Sequence, residues 1–270
     1  MIARQFCDRA MLFLAITGLF ALAAPPACAA DPTVALPAKE KLHLYLLIGQ
    51  SNMAGRGAIE EQDKQPHPRV LMFTKANTWA PAVDPLHFDK PAIAGVGLGS
   101  SFARAMADAN PSATIGLIPC AVGGTPLERW LKGKDLYEQA VVRAKAAQKD
   151  GTLKGILWHQ GESDSGNETN AKSYGERLAG MITDLRKELA AGDVPFVAGE
   201  LGRFRLEAKE GKSNYTRLVN EQINSLPGRV SKAAAVSSEG LNHKGDGTHF
   251  DSPSLREFGR RYAAALQGLK

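Results

Sequence analysis

Residues 42–48 read Leu-His-Leu-Tyr-Leu-Leu-Ile and are closed by Gly49. The run is too short for a buried helix and has no polar face for solvent. It therefore predicts a strand covered on both sides, as in the middle of a parallel sheet. Downstream, the pattern alternates. It predicts helices over 100–110, 135–149, 170–191, 213–226 and 255–269, and strands over 113–118, 154–158, 195–198 and 233–236. Asp135 with Glu138, and Ser254 with Glu257, have the spacing of a capping box at two helix starts. Repeated strand–helix alternation implies right-handed crossovers and an α/β fold with helices on both faces of a parallel sheet. The stretch 59–90 is rich in Pro, Asp, Lys and His with little periodicity, and reads as a long surface excursion.

With 270 residues, one α/β domain is expected, over 31–270. Residues 1–30 read as an export signal. Arg4 and Arg9 precede an apolar run over 10–24, and small residues stand at Ala27, Cys28, Ala29 and Ala30. The run falls short of the ~20 residues that span a bilayer, so no stable membrane anchor is expected, and the mature protein is expected to be secreted or periplasmic. Cleavage leaves Cys120 alone, so no internal disulfide can form, and its apolar neighbourhood predicts a buried, inert thiol. The net charge is +5, with Lys and Arg scattered. That pattern predicts no nucleic-acid partner.

In a parallel α/β sheet, ligands bind beyond the carboxyl ends of the strands. Four polar segments should meet there: Gly49-Gln50-Ser51-Asn52-Met53, Gly123-Gly124-Thr125, His159-Gln160-Gly161-Glu162-Ser163-Asp164 and Asp246-Gly247-Thr248-His249. A serine hydroxyl becomes a nucleophile only when a base takes its proton. His249 is the natural base for Ser51, and Asp246 could orient its ring. Donors for a developing oxyanion could come from the Ser51 N–H, an N–H of Gly123-Gly124 and the Gln160 side-chain amide. Each segment alone has a structural reading as a cap or turn; their convergence argues for one site.

Together these segments closely resemble the SGNH-hydrolase superfamily, and within it the sialate O-acetylesterase and acetylxylan esterase branch, carbohydrate esterase family six. The resemblance runs from about Leu42 to Leu266. It implies a three-layer α/β/α sandwich with a flavodoxin-like parallel sheet, and acyl transfer without a cofactor or metal. It implies Ser51 as nucleophile, His249 as base, Asp246 as orienting acid, and Gly124 and Gln160 beside Ser51 in the oxyanion hole. Gln50 replaces the Asp common in the first block, and Gln160 the usual Asn of the third, as in the sugar-esterase branch. Some members of that branch are read with the glutamate of His-Gln-Gly-Glu as the acid, so Glu162 competes with Asp246. Gln50, Asn52, Arg129 and Trp130 are candidates for substrate contact, Arg129 and Trp130 equally readable as packing.

The expected substrate is an acetylated carbohydrate, of the xylan or sialic acid type. A general aryl or lipid esterase on the same residues is an alternative, as is a catalytically silent carbohydrate-binding protein. A metal hydrolase would use His159, Glu162, Asp164 and His249; His67, His87 and His243 have no metal-ligand spacing. The glycine-rich segment 95–100 lacks the preceding strand of a nucleotide loop, and reads as a flexible approach to the site.

Overall fold

The computed structural model describes residues 34–206 and 214–269. The expected export signal lies outside the described residues. In chain order the elements are β1 (Leu42–Gly49), α1 (Ser51–Ala54), β2 (Val70–Phe73), β3 (Trp79–Pro81), α2 (Gly99–Ala109), β4 (Thr114–Pro119), α3 (Asp135–Ala147), β5 (Thr152–His159), α4 (Glu168–Lys172), α5 (Tyr174–Glu188), β6 (Phe196–Gly199), α6 (Thr216–Asn224), β7 (Ala233–Val236) and α7 (Ser252–Gln267). The seven strands form one sheet in the order β3-β2-β4-β1-β5-β6-β7. All pairings are parallel except that of edge strand β3 with β2.

β1 is central, and its side chains alternate between two separate cores, as strand geometry demands. Leu42, Leu44, Leu46 and Ile48 pack with α3, α5 and α6 through residues such as Leu136, Leu178 and Val219. Tyr45 and Leu47 pack with α2 and α7 through Phe102, Leu255 and Phe258. A strand that feeds two cores cannot carry a polar face, which explains its uninterrupted apolar run. Each fully buried leucine contributes roughly 1.5–3 kcal/mol, so β1 ties the three layers together. The expected α/β/α sandwich is the fold observed.

Several local expectations are corrected. The excursion over 59–90 is partly sheet: it contains β2 and β3. β2 is a four-residue edge-side strand, too short to announce a period. The helix expected over 170–191 is divided at Ser173, whose backbone stands at φ −88, ψ 0. Its hydroxyl donates to the Thr169 carbonyl, a local bond that competes with helix continuation. Neither capping box forms. Asp135 is held by Arg129 instead, and Glu138 accepts from the Gly133 N–H. α7 begins earlier than expected because Asp251 is its N-cap and accepts from the Ser254 N–H at 2.9 Å. Cys120 is half-buried rather than buried, and desolvation pushes its thiol up to about 11. Residues 95–97 are no free approach. Gly57 and Val96 form an antiparallel bridge, and a Cβ on Gly95 would lie 2.0 Å from the Gly57 carbonyl oxygen.

The excursion also buries Asp84. Neither of its carboxyl oxygens has a partner of good geometry among the described residues, although Ser100 and the Gly97 amide lie close. Burial therefore raises its pKa to about 7. The folded protein keeps a proton on Asp84 that the unfolded chain releases near pH 3.8. Stability should accordingly fall as pH rises from about 4 to about 7. Asp84→Asn is expected to raise the melting temperature above the parent's at pH 8 and to lose that advantage at pH 4. Equal shifts at both pH values would overturn this assignment.

Candidate active site

The carboxyl ends of β1, β4 and β5 and the loop between β7 and α7 converge on one open cavity of ≈ 360 Å³. It is lined by Ser51, Gly124 and His249, with Gln50, Glu162 and Arg205 among their neighbours. The nucleophile segment is held to β5 from the start. Gly49 pairs with His159 in the ladder, and the Gln50 N–H donates to the His159 carbonyl at 2.9 Å. α1 then starts at Ser51, which puts its N–H at the unpaired end of a helical turn.

Ser51 Oγ lies 3.0 Å from His249 Nε2, and Asp246 Oδ2 lies 2.7 Å from His249 Nδ1. With a carboxylate on Nδ1, the ring proton sits there, and Nε2 is left to accept from the serine. Asp246 is itself fixed: its Oδ1 accepts the Thr248 N–H at 2.9 Å and the His249 N–H at 2.8 Å. Burial opposes its ionisation, but these bonds and His249 outweigh burial and hold it down at about 2.

The loop that carries the histidine is anchored by its neighbours. Phe250 is fully buried and packs edge-on against His159, Phe204 and Phe258. Asn52 accepts the Phe250 N–H at 3.1 Å and donates to the Thr248 carbonyl at 3.1 Å. Asn52 is thus a brace between nucleophile and base, not a substrate contact. Removing such a buried two-way tie would leave unpaired backbone groups.

Glu162 does not touch His249. Its Oε1 accepts from Asn52 Nδ2 at 2.5 Å and lies 3.6 Å from His159 Nε2. Burial again raises its pKa, but His159 and then Asn52 overcome this and hold it at about 2. The geometry therefore places Asp246, and not Glu162, on the base. Nor do the four residues of the metal reading meet. His159 is wedged between Phe250 and Phe258 and bonded to Tyr262, while Asp164 accepts from Leu127, Gln160 and Arg177. Among the described residues, no group of three or more His, Cys, Asp or Glu is placed to hold a metal ion.

The oxyanion candidates divide. The Gly123 N–H is taken by Asp89 Oδ2 at 2.7 Å. The Ser51 and Gly124 N–H groups have no acceptor among the described residues. Gln160 is fully buried, and its two Nε2 hydrogens are shared among three acceptors, Asp164, Thr125 and Gln50. It has no hydrogen left for a ligand. Trp130 is likewise interior: it packs edge-on against Trp158 and donates to Thr125. Arg129 is turned away to Asp135.

The sequence offered no signal for Arg56, Lys90 and Arg205, which bring positive charge to the cavity rim. The Arg56–Asp89 pair is 2.7 Å apart and 2% exposed on each side. Asp89 is held below the usual carboxylate range although burial opposes it, because Arg56 and the Gly123 amide favour its charge. Among the described residues Arg205 reaches only hydroxyls, Thr248 Oγ1 at 3.4 Å and Ser165 Oγ at 3.5 Å, and its Nε has no partner there. Lys90 has no carboxylate partner among the described residues.

The family profile described as carbohydrate esterase, sialic acid-specific acetylesterase, matches residues 41–268. The chain belongs to this family. As a carbohydrate esterase it is a carboxylic ester hydrolase. It is 32% identical over 241 residues to the probable carbohydrate esterase At4g34215 of Arabidopsis thaliana, covering 82% of this chain and 89% of the plant protein. The crystal structure of that plant protein superposes with a TM-score of 0.75, covering 84% of this chain and 98% of the other. The carbohydrate acetylesterase XAC1771 from Xanthomonas citri shares the fold at 22% identity and a TM-score of 0.65, over 84% of this chain and 56% of the other. Among carbohydrate esterases, then, the sheet edge of this one presents serine, histidine and aspartate in hydrogen-bonded sequence.

Proposed function

We propose that this esterase removes O-acetyl groups from acidic sugars through an acetyl-serine intermediate. The observation that carries the reading is the chain of contacts Ser51–His249–Asp246 opening into a cavity with two cations, Lys90 and Arg205, that have no acidic partner among the described residues. Ser51 Oγ attacks the acetyl carbonyl while its proton passes to His249 Nε2. Asp246 holds the ring and stabilises the imidazolium. The Ser51 and Gly124 amides face the oxygen that takes up the charge. His249 then returns the proton to the departing sugar oxygen. Water, activated by the same histidine, releases acetate.

The substrate class rests on charge. Burial of the serine among polar loops favours a small acyl group, and among the described residues Ile93 is the one large aliphatic side chain on the cavity lining. A long acyl chain would find little apolar surface there. A carboxylate-bearing sugar would find Arg205, whose fork matches a carboxylate. The family's description points the same way. The N-terminal pattern of Arg4, Arg9, an apolar run and small residues at 27–30 supports action outside the cytoplasm.

Acetate release should be measured across acetylated sialic acid, acetylated xylan and aryl esters of increasing chain length. The acidic sugar is expected to give the highest kcat/KM. Arg205→Met is expected to raise KM for it about tenfold or more, the worth of a charged hydrogen bond, and to leave neutral acetyl esters within about twofold. A preference for long acyl chains would move the assignment to a general lipid or aryl esterase.

A further inference from the structure

We propose that the side-chain amide of Gln50 is the side-chain donor of the oxyanion hole, and that Gln160 holds it there. The inference rests on the serine-esterase reading above. It assigns a hydrogen bond to an atom that the architecture leaves unused.

The orientation of Gln160 is unambiguous: its Nε2 lies 3.0 Å from the Thr125 carbonyl oxygen and 2.7 Å from Asp164 Oδ2, both pure acceptors. Its Oε1 lies 3.0 Å from the Tyr174 hydroxyl, whose one hydrogen it shares with the Gln160 main-chain carbonyl. Exchanging its N and O would set oxygen against oxygen at two contacts. Gln50 is then oriented in turn. Its Oε1 faces Gln160 Nε2 at 3.2 Å and accepts the backbone N–H of Ser163 at 3.3 Å. Two donors on that atom leave the amide nitrogen on the other side.

Every other polar group of Gln50 is occupied. Its N–H donates to the His159 carbonyl, and its own carbonyl accepts from Met53 and Ala54. It stands at the N-cap of α1 yet makes no side-chain cap bond. Only the two Nε2 hydrogens have no acceptor among the described residues. An amide –NH2 without acceptors would be costly if sealed in. Nε2 is not among the buried atoms without a partner, and Gln50 lines the cavity beside Ser51, Gly123 and Gly124. The orphan donor therefore faces the space where the substrate carbonyl must lie.

When Ser51 Oγ adds to the acetyl carbon, the carbonyl π pair moves onto oxygen. The Gln50 N–H donates to that oxygen alongside the Ser51 and Gly124 amides. No proton leaves Gln50. When the intermediate collapses, the pair returns, the sugar oxygen departs with the proton from His249, and the hydrogen bond slackens. Because the bond is strongest in the transition state, its loss lowers kcat.

Gln50→Glu tests this. A carboxylate oxygen can still accept from Gln160 and Ser163, so the fold should persist, with a melting temperature lowered by burial of the new charge. The donor becomes an acceptor. The expected result is a kcat about 10²–10³-fold lower, the cost of removing one oxyanion donor, with KM within about threefold. Gln50→Met, which keeps the length but has neither group, serves if the first variant does not fold, and should show the same split. A kcat within threefold of the parent in the folded variant overturns the proposal. So does a raised KM at unchanged kcat, which would make Gln50 a ground-state substrate contact. Ser51→Ala in the same assay separates the two levels. Parent turnover that survives it overturns the serine reading and this proposal together; turnover that depends on Ser51 but not on the Gln50 amide overturns this proposal alone.

Discussion

Ser51→Ala is expected to lower acetate release from an aryl acetate by about 10³-fold at least, and by up to about 10⁶-fold, the range for removal of a serine nucleophile. The fold should be unaffected. Among the described residues Ser51 Oγ hydrogen-bonds with His249 alone, at 3.0 Å, and the segment is held by backbone bonds through Gln50 and Gly55. What remains after truncation is catalysis by bound water and the free amides. Two companion variants sharpen the result. Asp246→Asn would keep the loop but set an amide against His249 Nδ1, which favours the wrong tautomer. By analogy with serine proteases, a loss of about 10⁴-fold follows. Glu162→Gln should cost far less turnover, because Glu162 touches Asn52 and His159 rather than the base. If Glu162→Gln proved as damaging as Asp246→Asn while both folded, the assignment of the acid would be wrong. Purified variants measured by initial rate and melting temperature decide it.

Gly49→Ala is expected to abolish folding. Its backbone stands at φ +133, and a Cβ would lie 2.1 Å from the His159 carbonyl oxygen and 2.7 Å from the carbonyl carbon. Both obstacles are main chain of the neighbouring strand, so no rotamer change relieves them. Nor can His159 retreat, since its carbonyl is the acceptor that fixes Gln50. The expected cost exceeds about 4–5 kcal/mol, the exceptional end of single substitutions, and should appear as loss of soluble protein. Gly180→Ala is the contrast. It lies within α5, where a Cβ would meet nothing within 4 Å, and alanine there should stabilise by roughly 1 kcal/mol. Soluble, active Gly49→Ala protein would refute this account of the close approach between β1 and β5.

Much of the architecture was legible because it follows from short-range pattern. β1 could be recognised from seven apolar residues and a glycine, since a strand between two cores admits nothing else. β2 and β3 were not, because a four-residue strand and a three-residue edge strand are too short to carry a period. Helix starts were misplaced where a nearer cap won, as Asp251 does over Ser254. Beside the bend at Ser173, the Tyr174 hydroxyl donates to the Gln160 carbonyl at 2.6 Å. That contact belongs to the site, and nothing in a helical pattern reveals it.

The site itself was legible in kind. Four polar segments follow apolar strands, and strand ends in a parallel sheet meet at one edge whatever the side chains are. Sequence thus determined which residue types arrive at that edge: Ser51, Gly124, Gln160, Glu162, Asp246 and His249. It could not determine which of them face one another. The contacts that decide this join residues far apart in the chain: Ser51 with His249 across 198 positions, Asn52 with Glu162 across 110, Gln50 with Gln160 across 110. Tertiary structure turned Asp246 toward the base and Glu162 toward Asn52, and pointed the amide of Gln50, rather than that of Gln160, at the cavity. The physical reason is that a buried polar group takes whichever partner packing brings within hydrogen-bond reach, and packing is a property of the whole sheet.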